Sequence, residues 1–414
     1  MYQSAASMFK NKKVLILGFG REGMSTYRFL RNMYPDMHLT IADKNEIKLD
    51  DKNVTLICGD SYMDSLNDFD IVMKSPGIAF LDVDIKDGTL VTCQTDLFLK
   101  FAPCRKVGIT GSKGKTTTST LIYDMLKEGG FDARLIGNIG VPVLEDINTV
   151  TPETIAVIEM SSHQLEFTTS SPEVAVLTNI YEEHLDHYRD GFRGYVNAKL
   201  NIVRRQKEGD TFIYNATQGL DGLCDLGKIK SHKVGVKKDA PLPFAVNNEH
   251  LLGEHNRQDI LFAFEAAKHF GVDIAAAERA VEKFSGIEHR MEKVGTFRGI
   301  TFYNDCIATI PHAVECAVEA LKNVDTLIFG GMDRGLDYSE FENYLKKSNI
   351  KNLIGTPETG HKICDKIEGA PKKNVYKAAN LDEAVKKAYE VTGKGKICLL
   401  SPAASSYNLS LIHI

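Results

Sequence analysis

Two glycine-rich loops, each placed between a short apolar run and a segment with helical spacing, constrain the fold of this chain more than any other feature. The first loop spans residues 18–23 (GFGREG) and the second spans residues 110–117 (TGSKGKTT). After each loop, apolar side chains recur at the three- and four-residue spacing of a helix. A strand, a tight loop and a helix in this order form the repeating unit of a parallel sheet that has helices on its faces.

Strand and helix patterns recur along the chain in three series. The predicted strands are residues 13–18, 39–43, 54–57 and 70–73 in the first series, 107–110, 154–159 and 174–178 in the second, and 300–305, 325–331 and 397–400 in the third. We therefore predict an α/β protein of three domains, at residues 1–103, 104–290 and 291–414. The first and third domains are expected to be Rossmann-like, and the second to carry a phosphate loop. The length of 414 residues agrees, because a domain usually takes ~100–200 residues.

Composition narrows the class of protein. Hydrophobic residues make up 43% of the chain and charged residues 25%, with a mean hydropathy of -0.19, as in soluble globular proteins. The 50 basic and 55 acidic residues give a net charge of -5, which argues against a nucleic-acid partner. We expect a cytoplasmic protein without a membrane partner, because no apolar run reaches the ~18–20 residues of a membrane span and the N-terminus lacks a secretion signal. The 8 cysteines form no Cys-x-x-Cys pair, which predicts reduced thiols.

The first glycine loop has the pattern of a nucleotide site. It reads G-x-G-x-x-G between a strand and a helix, and Asp43 follows its last glycine by twenty residues. Glycines let the backbone approach a pyrophosphate, and the helix N-terminus attracts the negative charge. The pattern alone leaves three alternatives open: a nicotinamide or flavin cofactor, another nucleotide, or a tight turn without a ligand.

The second loop has the shortened phosphate-loop pattern G-x-x-G-K-[ST]. Lys115 would neutralise the β- and γ-phosphates of a nucleotide, and Thr116 would reach Mg²⁺. The alternative is a turn that carries a lysine and binds no nucleotide. Two nucleotide-type loops in one chain favour a ligase that binds a nucleotide-linked substrate and consumes ATP.

Three further residues are candidates for the chemistry of the second loop. Glu159 ends an apolar strand beside the phosphate loop, where a carboxylate could bind Mg²⁺ or merely cap a helix or face solvent. His184 follows the next strand and is either a metal ligand or an ordinary core or surface histidine. Lys199 lies on a predicted helix, and periodicity alone predicts a surface lysine there.

Taken together, the motifs of the chain resemble the Mur ligases over nearly its whole length. The motifs that carry the resemblance are residues 110–117, 137–140 (GNIG), 159–166 (EMSSHQLE), 178–187 (TNIYEEHLDH), 198–199 (AK), 253–256 (GEHN) and 289–292 (HRME). The similarity is greatest to the branch that adds glutamate to UDP-N-acetylmuramoyl-L-alanine. It implies that the first glycine loop binds the UDP part of a substrate rather than a nicotinamide cofactor.

The resemblance implies an ATP-dependent peptide-bond-forming ligase of peptidoglycan precursor synthesis. Such an enzyme joins D-glutamate to UDP-N-acetylmuramoyl-L-alanine through an acyl phosphate and releases ADP and phosphate. The alternatives are the same reaction with L-glutamate, or a degenerate homologue that binds nucleotides without catalysis. Ligation of glutamate to a folate is disfavoured because that branch lacks the first glycine loop, and an oxidoreductase would leave the second loop unexplained. We expect a monomer.

The resemblance also implies roles for single residues. Those expected to bind ATP are Gly111, Ser112, Lys113, Gly114, Lys115, Thr116, Thr117, Asn256, Arg290 and Asp305. Those expected to bind the other substrates are Gly18, Phe19, Gly20, Arg21, Asp43, Lys44, Ser75, Asn138, Ser161, Gln164, Thr309, Arg334 and Ser406. Two Mg²⁺ ions would be held by Thr116, Glu159, His184 and a carbamylated Lys199. Lys115, Lys199 and His184 would be the catalytic residues.

Some positions depart from the family pattern. Ile307 replaces a lysine, and Arg334 stands where a lysine is common; both changes fall in the pocket expected to select the amino acid. His163 stands where phenylalanine is common, and Asp259 where asparagine is common. After Tyr407 the family usually continues through a further helix, so we expect a product truncated at one edge of the glutamate pocket.

Overall fold

The computed structural model of the chain describes residues 7–138, 141–220, 222–251, 253–333 and 336–404. The chain divides into two compact units. The first contains the residues up to 247 together with 254–283, and the second contains 248–253 together with the residues from 284 onwards. The first unit holds two sheets and the second unit holds one.

The first sheet is parallel throughout and has the strand order β3-β2-β1-β4-β5. Its strands are β1 (Val14–Leu17), β2 (Leu39–Asp43), β3 (Val54–Cys58), β4 (Ile71–Lys74) and β5 (Leu90–Thr92), and its helices are α1 (Arg21–Met33) and α2 (Gln94–Phe101). All residues of β1 and β4 are buried, as expected for inner strands that have helices on both faces.

The second sheet, in the same unit, is also parallel and has the order β11-β10-β9-β6-β8-β7. Its strands are β6 (Arg105–Thr110), β7 (Ala133–Gly137), β8 (Ile155–Glu159), β9 (Val174–Leu177), β10 (Thr211–Asn215) and β11 (His232–Val236). The helices around it are α3 (Lys115–Glu128), α4 (Val143–Asp146), α5 (Ser162–Leu165), α6 (Gly191–Arg204), α7 (Glu254–His269) and α8 (Ile274–Lys283).

The third sheet forms the second unit and has the order β12-β13-β17-β14-β15-β16. Its strands are β12 (Glu292–Phe297), β13 (Ile300–Asn304), β14 (Val324–Phe329), β15 (Asn352–Gly355), β16 (Asn374–Lys377) and β17 (Ile397–Leu400). Its helices are α9 (Pro311–Leu321), α10 (Ser339–Lys347), α11 (Thr359–Ile367) and α12 (Leu381–Val391). Only the β12–β13 pair is antiparallel.

The predicted α/β class with three sheets is confirmed, and one sheet lies within each predicted domain. The domain limits at residues 103 and 290 stay predictions. The eight cysteines are free, as expected. Within the described ranges, no helix is long and apolar enough to span a bilayer.

Strand order determines where ligands can bind. In the first sheet β1 has β2 on one side and β4 on the other, and in the second sheet β6 lies between β9 and β8. After β1, and again after β6, the chain first builds the sheet on one side of that strand and later on the other side. This reversal opens a crevice at the carboxyl end of the strand. Both glycine loops lie at such points, so the topology alone makes each loop a candidate site.

Candidate active site

The second glycine loop runs from β6 to α3 and is packed closely from behind. Its inner glycines adopt backbone angles that side chains rarely take, with φ of 156° at Gly111 and 81° at Gly114. A Cβ on Gly111 would lie 1.9 Å from Thr178 Oγ1, and a Cβ on Gly114 would lie 2.4 Å from Asp259 Oδ1. Glycine is therefore required at both positions.

Side chains from two neighbouring elements hold this loop in place. Thr178 Oγ1 donates to the carbonyl oxygen of Lys113 at 2.5 Å, and the Lys113 N–H donates to Asn179 Oδ1 at 2.8 Å. The Ser112 hydroxyl lies 2.6 Å from the Tyr195 hydroxyl. Because Thr178 and Asn179 follow β9 and Tyr195 lies on α6, the loop is fixed by the sheet and by a helix at once.

Lys115 and the two threonines after it form the first turn of α3. Lys115 Nζ donates to the carbonyl oxygens of Gly111 at 3.0 Å and of Ser112 at 2.9 Å, so the side chain curls over its own loop. Thr116 is half-buried and Thr117 is buried. The N–H groups at the start of a helix have no partner within it and attract anions, so this end of α3 suits a phosphate.

Lys199 is not the surface lysine that periodicity predicts, since only 2% of the residue is exposed. Its Nζ donates to the Gly111 carbonyl oxygen at 2.7 Å and lies 4.7 Å from the centre of the Tyr195 ring. Burial, together with the nearby charge of Lys115, lowers the pKa of this amine well below its usual range. Tyr195 was not among the predicted site residues, although its position four residues before Lys199 puts the two on one helix face.

Glu159 is the last residue of β8 and lies opposite Ile109 of β6, beside the start of the phosphate loop. It is 2% exposed, which rules out a solvated acid. Asn138 Nδ2 donates to its Oε1 at 2.7 Å, whereas its Oε2 has no hydrogen-bond partner among the described residues. A buried carboxylate oxygen without a hydrogen-bond partner lowers the stability of the fold, and a hard cation bound to it would offset this loss. Glu159 therefore fits the metal-binding role better than a capping role.

His184 begins a short 3-10 turn (Leu185–His187) and has a left-handed backbone, with φ of 54°. The residue is exposed overall, but desolvation of its imidazole and the charges of Lys199 and Lys115 lower its pKa. Its ring centre lies 4.7 Å from that of His163. No group of three or more His, Cys, Asp or Glu side chains in the described ranges is arranged to hold a metal ion. The two predicted Mg²⁺ sites stay predictions.

The first glycine loop is braced by two side chains from neighbouring strand ends. Gly18 has a φ of 86°, and its carbonyl oxygen accepts a hydrogen bond from Ser75 Oγ at 3.0 Å. The N–H of Phe19 donates to Asp43 Oδ2 at 2.7 Å. Asp43 therefore holds the loop itself, at the position where dinucleotide-binding proteins use an acid for the ribose.

A cavity of about 470 Å³ opens beside this loop. The residues that line it include six of those predicted for substrate binding, namely Gly18, Gly20, Arg21, Asp43, Lys44 and Ser75. Arg21 and Lys44 are exposed and put two cations at its edge. A helix N-terminus flanked by two cations suits a diphosphate.

Ser161 and Gln164 belong to the N-terminus of α5, and they cap it reciprocally. Gln164 N–H donates to Ser161 Oγ at 3.2 Å, and Ser161 N–H donates to Gln164 Oε1 at 3.0 Å. Gln164 Nε2 also donates to Glu22 Oε1 of the first sheet at 2.7 Å. The sequence analysis did not name Glu22, although it lies inside the first glycine loop. Burial raises the pKa of this carboxyl.

The candidates of the second unit surround the end of β13. Asp305 is buried and accepts hydrogen bonds from the Met291 N–H at 3.2 Å and from Ser401 Oγ at 2.8 Å. Arg290 Nε is buried, and no residue of the described ranges accepts its hydrogen. Thr309 is exposed. An arginine with an unused donor next to an anchored aspartate can bind an anionic ligand.

The remaining predicted residues divide between the two units. Asn256 lies in the first turn of α7, in the first unit. Ile307, in the second unit, is 39% exposed, so the apolar side chain that replaces the family lysine meets solvent. Arg334 and Ser406 lie outside the described residues.

Three family models match the chain in consecutive stretches. They are the Mur ligase MurD-like N-terminal domain at residues 12–91, the Mur ligase middle domain at 109–242, and the Mur ligase glutamate ligase domain at 289–404.

Curated relatives match almost the full chain. The enzyme named UDP-N-acetylmuramoylalanine--D-glutamate ligase from Clostridium kluyveri is 33% identical over 437 residues, which cover 97% of this chain and 93% of the relative. The enzyme of the same name from Ligilactobacillus salivarius is 33% identical with the same coverage.

Solved structures share the fold at low sequence identity. A MurF ligase from Thermotoga maritima in complex with ADP superposes with a TM-score of 0.63 at 16% identity, covering 97% of this chain and 93% of that one. The UDP-N-acetylmuramate-alanine ligase MurC from the same organism gives a TM-score of 0.59 at 18% identity, covering 97% and 99%.

The packing behind the phosphate loop predicts a large effect of one methyl group. We expect Gly111→Ala to lower the free energy of unfolding by more than about 3 kcal/mol, because its Cβ would overlap Thr178 Oγ1. Gly88→Ala is the matched control, since Gly88 has a φ of 100° but nothing within 4 Å of a Cβ. Backbone strain alone should cost about 1–2 kcal/mol there. Urea denaturation measures both, and equal losses would contradict the steric explanation.

Proposed function

This chain belongs to the Mur ligase family, and we propose that it joins D-glutamate to UDP-N-acetylmuramoyl-L-alanine at the expense of ATP. The observation that carries the proposal is the pairing of two nucleotide-type loops at the carboxyl edges of two sheets in one compact unit. One loop suits the diphosphate of a nucleotide-linked substrate, and the other suits a triphosphate. Curated relatives that bear this enzyme name match 97% of the chain, which favours D-glutamate over L-glutamate and catalysis over a degenerate homologue.

The phosphate loop is the ATP site of this proposal. The backbone N–H groups of residues 114–117, at the N-terminus of α3, would hold the phosphates, because those of Ser112 and Lys113 already donate to Asn179. Lys115 now donates to two loop carbonyl oxygens, and it can exchange them for phosphate oxygens by rotating its side chain. Its charge would then lie against the β- and γ-phosphates, where negative charge shifts during transfer.

The residues around the loop fit Mg²⁺. Glu159 brings a buried carboxylate oxygen that has no partner within the described ranges, and Thr116 brings a hydroxyl in the first turn of α3. His184 and Lys199 are the ligands proposed for a second ion. Bound Mg²⁺ would neutralise the phosphate oxygens and so favour attack by an anionic carboxylate.

Lys199 has the properties that carbamylation requires. Only an uncharged amine attacks carbon dioxide, and burial lowers the pKa of Lys199, which favours the uncharged form. The amine adds to the carbon of carbon dioxide and loses a proton, which gives a carbamate with one negative charge. This places an anion close to the cation of Lys115, because both side chains reach the same Gly111 carbonyl oxygen.

The reaction proceeds in two steps. The carboxylate of the L-alanine residue attacks the γ-phosphorus, the bond to ADP breaks, and an acyl phosphate forms. The amine of glutamate then attacks the acyl carbon, loses a proton, and expels inorganic phosphate. In this scheme Lys115 stabilises the transferring phosphoryl group, and Asn138, Ser161 and Gln164 orient the muramoyl-alanine end.

The second unit carries the residues proposed to bind glutamate and two of those proposed to bind the nucleotide. Arg290 offers a buried donor, and Asp305 is held by Ser401 Oγ at 2.8 Å. The two residues would meet the nucleotide, while Thr309, Arg334 and Ser406 would meet glutamate. Because isoleucine stands at position 307 where the family pattern has lysine, this region has one cation fewer. Arg334 would therefore provide more of the attraction for the glutamate carboxylates.

Phosphate release tests the proposed function. The protein is incubated with ATP, Mg²⁺, UDP-N-acetylmuramoyl-L-alanine and either D- or L-glutamate, and inorganic phosphate is measured with time. We expect release with D-glutamate and only background release with L-glutamate or without an amino acid. Release with L-glutamate alone would overturn the proposed stereochemistry, and no release with either would overturn the function.

Carbamylation of Lys199 predicts a spectroscopic signal. In ¹³C-bicarbonate the protein should show one carbamate carbon resonance, which Lys199→Met should lack. Activity should fall by about 10²-fold or more in this variant, because a charge of the site is lost. Lys127→Met, at an exposed position on α3, is the control and should keep both signal and activity. A resonance that survives in Lys199→Met would place the carbamate elsewhere.

The proposed metal role of Glu159 predicts an effect on ligand-dependent stability. Mg²⁺ with ATP should raise the melting temperature of the unmodified protein, and EDTA should reverse the rise. We expect Glu159→Gln to melt at the same temperature as the unmodified protein without ligand, or higher, but to gain much less from Mg²⁺ and ATP. Glu153→Gln, at an exposed site, should behave like the unmodified protein. A full ligand response in Glu159→Gln would argue against the metal role.

A further inference from the structure

Lys74 forms a buried ion pair between the two sheets of the first unit. It is the last residue of β4 and directly precedes Ser75 of the substrate cavity, yet only 3% of it is exposed. Its Nζ lies 3.1 Å from Glu166 Oε2, at the end of α5 on the second sheet, and the two side chains are 1% and 18% exposed. Removing one partner of an ion pair that is shielded from water destabilises the fold, because the other charge stays buried without its partner.

Two aromatic rings enclose the ammonium group of Lys74. Its Nζ lies 5.5 Å from the centre of the Phe80 ring and 5.3 Å from that of Phe167, and the rings contact each other edge to face. Phe80 belongs to the first sheet, whereas Phe167 directly follows Glu166. Both rings attract the cation and exclude water, so the attraction between Lys74 and Glu166 is weakly screened.

Glu166 transmits this contact to the residues proposed for chemistry. Its Oε2 lies 3.4 Å from His187 Nε2, in the turn that begins at His184. The His187 ring centre lies 3.9 Å from that of His163, which is on α5 between Ser161 and Gln164. The ion pair therefore braces both the metal-side turn and the helix that would orient the muramoyl-alanine end.

A second contact crosses the junction nearby and ends on the first glycine loop. Gln164 Nε2 donates to Glu22 Oε1 at 2.7 Å, and Cys93 Sγ donates to the Gln164 carbonyl oxygen at 3.2 Å. These contacts are hydrogen bonds to neutral or partly exposed groups, whereas Lys74–Glu166 joins two opposite charges. Of these three contacts, the one made by Lys74 is therefore the ion pair.

We propose that Lys74 is a positioning residue of the ligation reaction. Through Glu166 it fixes the separation between the loop that binds the nucleotide end of the substrate and the strand ends that bind its reacting carboxylate. The inference rests on the proposed function, because only a substrate that spans both sheets needs this separation. Without Lys74 the carboxylate of Glu166 would keep His187 as a neighbour but lose its ammonium partner, and it would turn towards water and release His187 and α5.

Lys74 could instead contribute only to folding, or contact the diphosphate of the substrate. Binding measurements separate the three roles. A positioning residue affects a ligand that spans both sheets, but not UDP alone, which occupies only the first loop. If Lys74 contributes only to folding, its replacement lowers the folded fraction and leaves both affinities of the folded protein unchanged. If Lys74 contacts the diphosphate, its replacement also lowers the affinity for UDP.

The test is calorimetric titration of the full-length protein with UDP and with UDP-N-acetylmuramoyl-L-alanine. In the unmodified protein the larger ligand should bind more tightly. We expect Lys74→Met to keep its affinity for UDP within about twofold and to lose at least about tenfold in affinity for the larger ligand. The turnover number should also fall, because a displacement of 1 Å can cost about 10²-fold in rate. The KM for ATP should stay within about twofold.

Two further variants keep the test decisive. Lys74→Met combined with Glu166→Gln removes the unpaired buried charge, so it should fold stably even if the single variant does not, and it should show the same selective loss. Lys100→Met is the control, because Lys100 also crosses the junction, to Thr169 Oγ1 at 3.1 Å, but is 38% exposed. It should leave both affinities unchanged.

Each outcome decides between the roles. An unchanged affinity ratio in both Lys74 variants overturns the positioning role, and an equal loss for UDP shows a phosphate contact instead. If the unmodified protein does not prefer the larger ligand over UDP, the proposed function fails, and the inference fails with it. A selective loss in the Lys74 variants but not in Lys100→Met supports the inference.

Discussion

Two lysine amines converge on one carbonyl oxygen, that of Gly111, and the proposed chemistry depends on this arrangement. Lys115 donates to it at 3.0 Å from the helix that the loop opens, and Lys199 donates at 2.7 Å from α6. Two ammonium groups so close together repel each other, and Lys199 is the one that burial favours as an uncharged amine. Burial thus distinguishes the two lysines, since Lys115 is half-buried and Lys199 is fully buried with a lowered pKa.

This arrangement explains why the surrounding packing is so close. Thr178 lies where a Cβ of Gly111 would be, and Tyr195 holds the hydroxyl of Ser112 while its ring faces Lys199. Elements that are distant in sequence therefore fix the one backbone oxygen that both amines share. In a loop with a more flexible backbone the Gly111 carbonyl could turn away. The buried Lys199 amine would then lose its hydrogen-bond acceptor, which would destabilise the fold.

Sequence patterns predicted the fold and the motifs better than the contacts between them. The helix expected after the second glycine loop coincides with α3, and the last predicted strand coincides with β17, because both have strong periodicity and clear ends. The edge strand β12 was missed, since it alternates poorly and exposes Val294 and Phe297. Periodicity alone placed Lys199 at the surface, because it treats every lysine as solvated, whereas the resemblance to the Mur ligases implied a role in the site. The partners of Lys74 could not be predicted, because they come from another sheet.

The two glycine loops share a backbone pattern but differ in the placement of their cations, and this difference matches the chemistry proposed for each. Arg21 and Lys44 are exposed at the first loop, where water screens them and a diphosphate would be held and released unchanged. At the second loop Lys115 is the cation and is half-buried, beside the buried Lys199, whose pKa burial lowers. A charge in a site that excludes water acts more strongly on the charge that shifts during phosphoryl transfer. In the proposed reaction, binding energy at the first loop would hold the substrate, charge at the second loop would stabilise the transition state, and the buried ion pair between the sheets would let the first support the second.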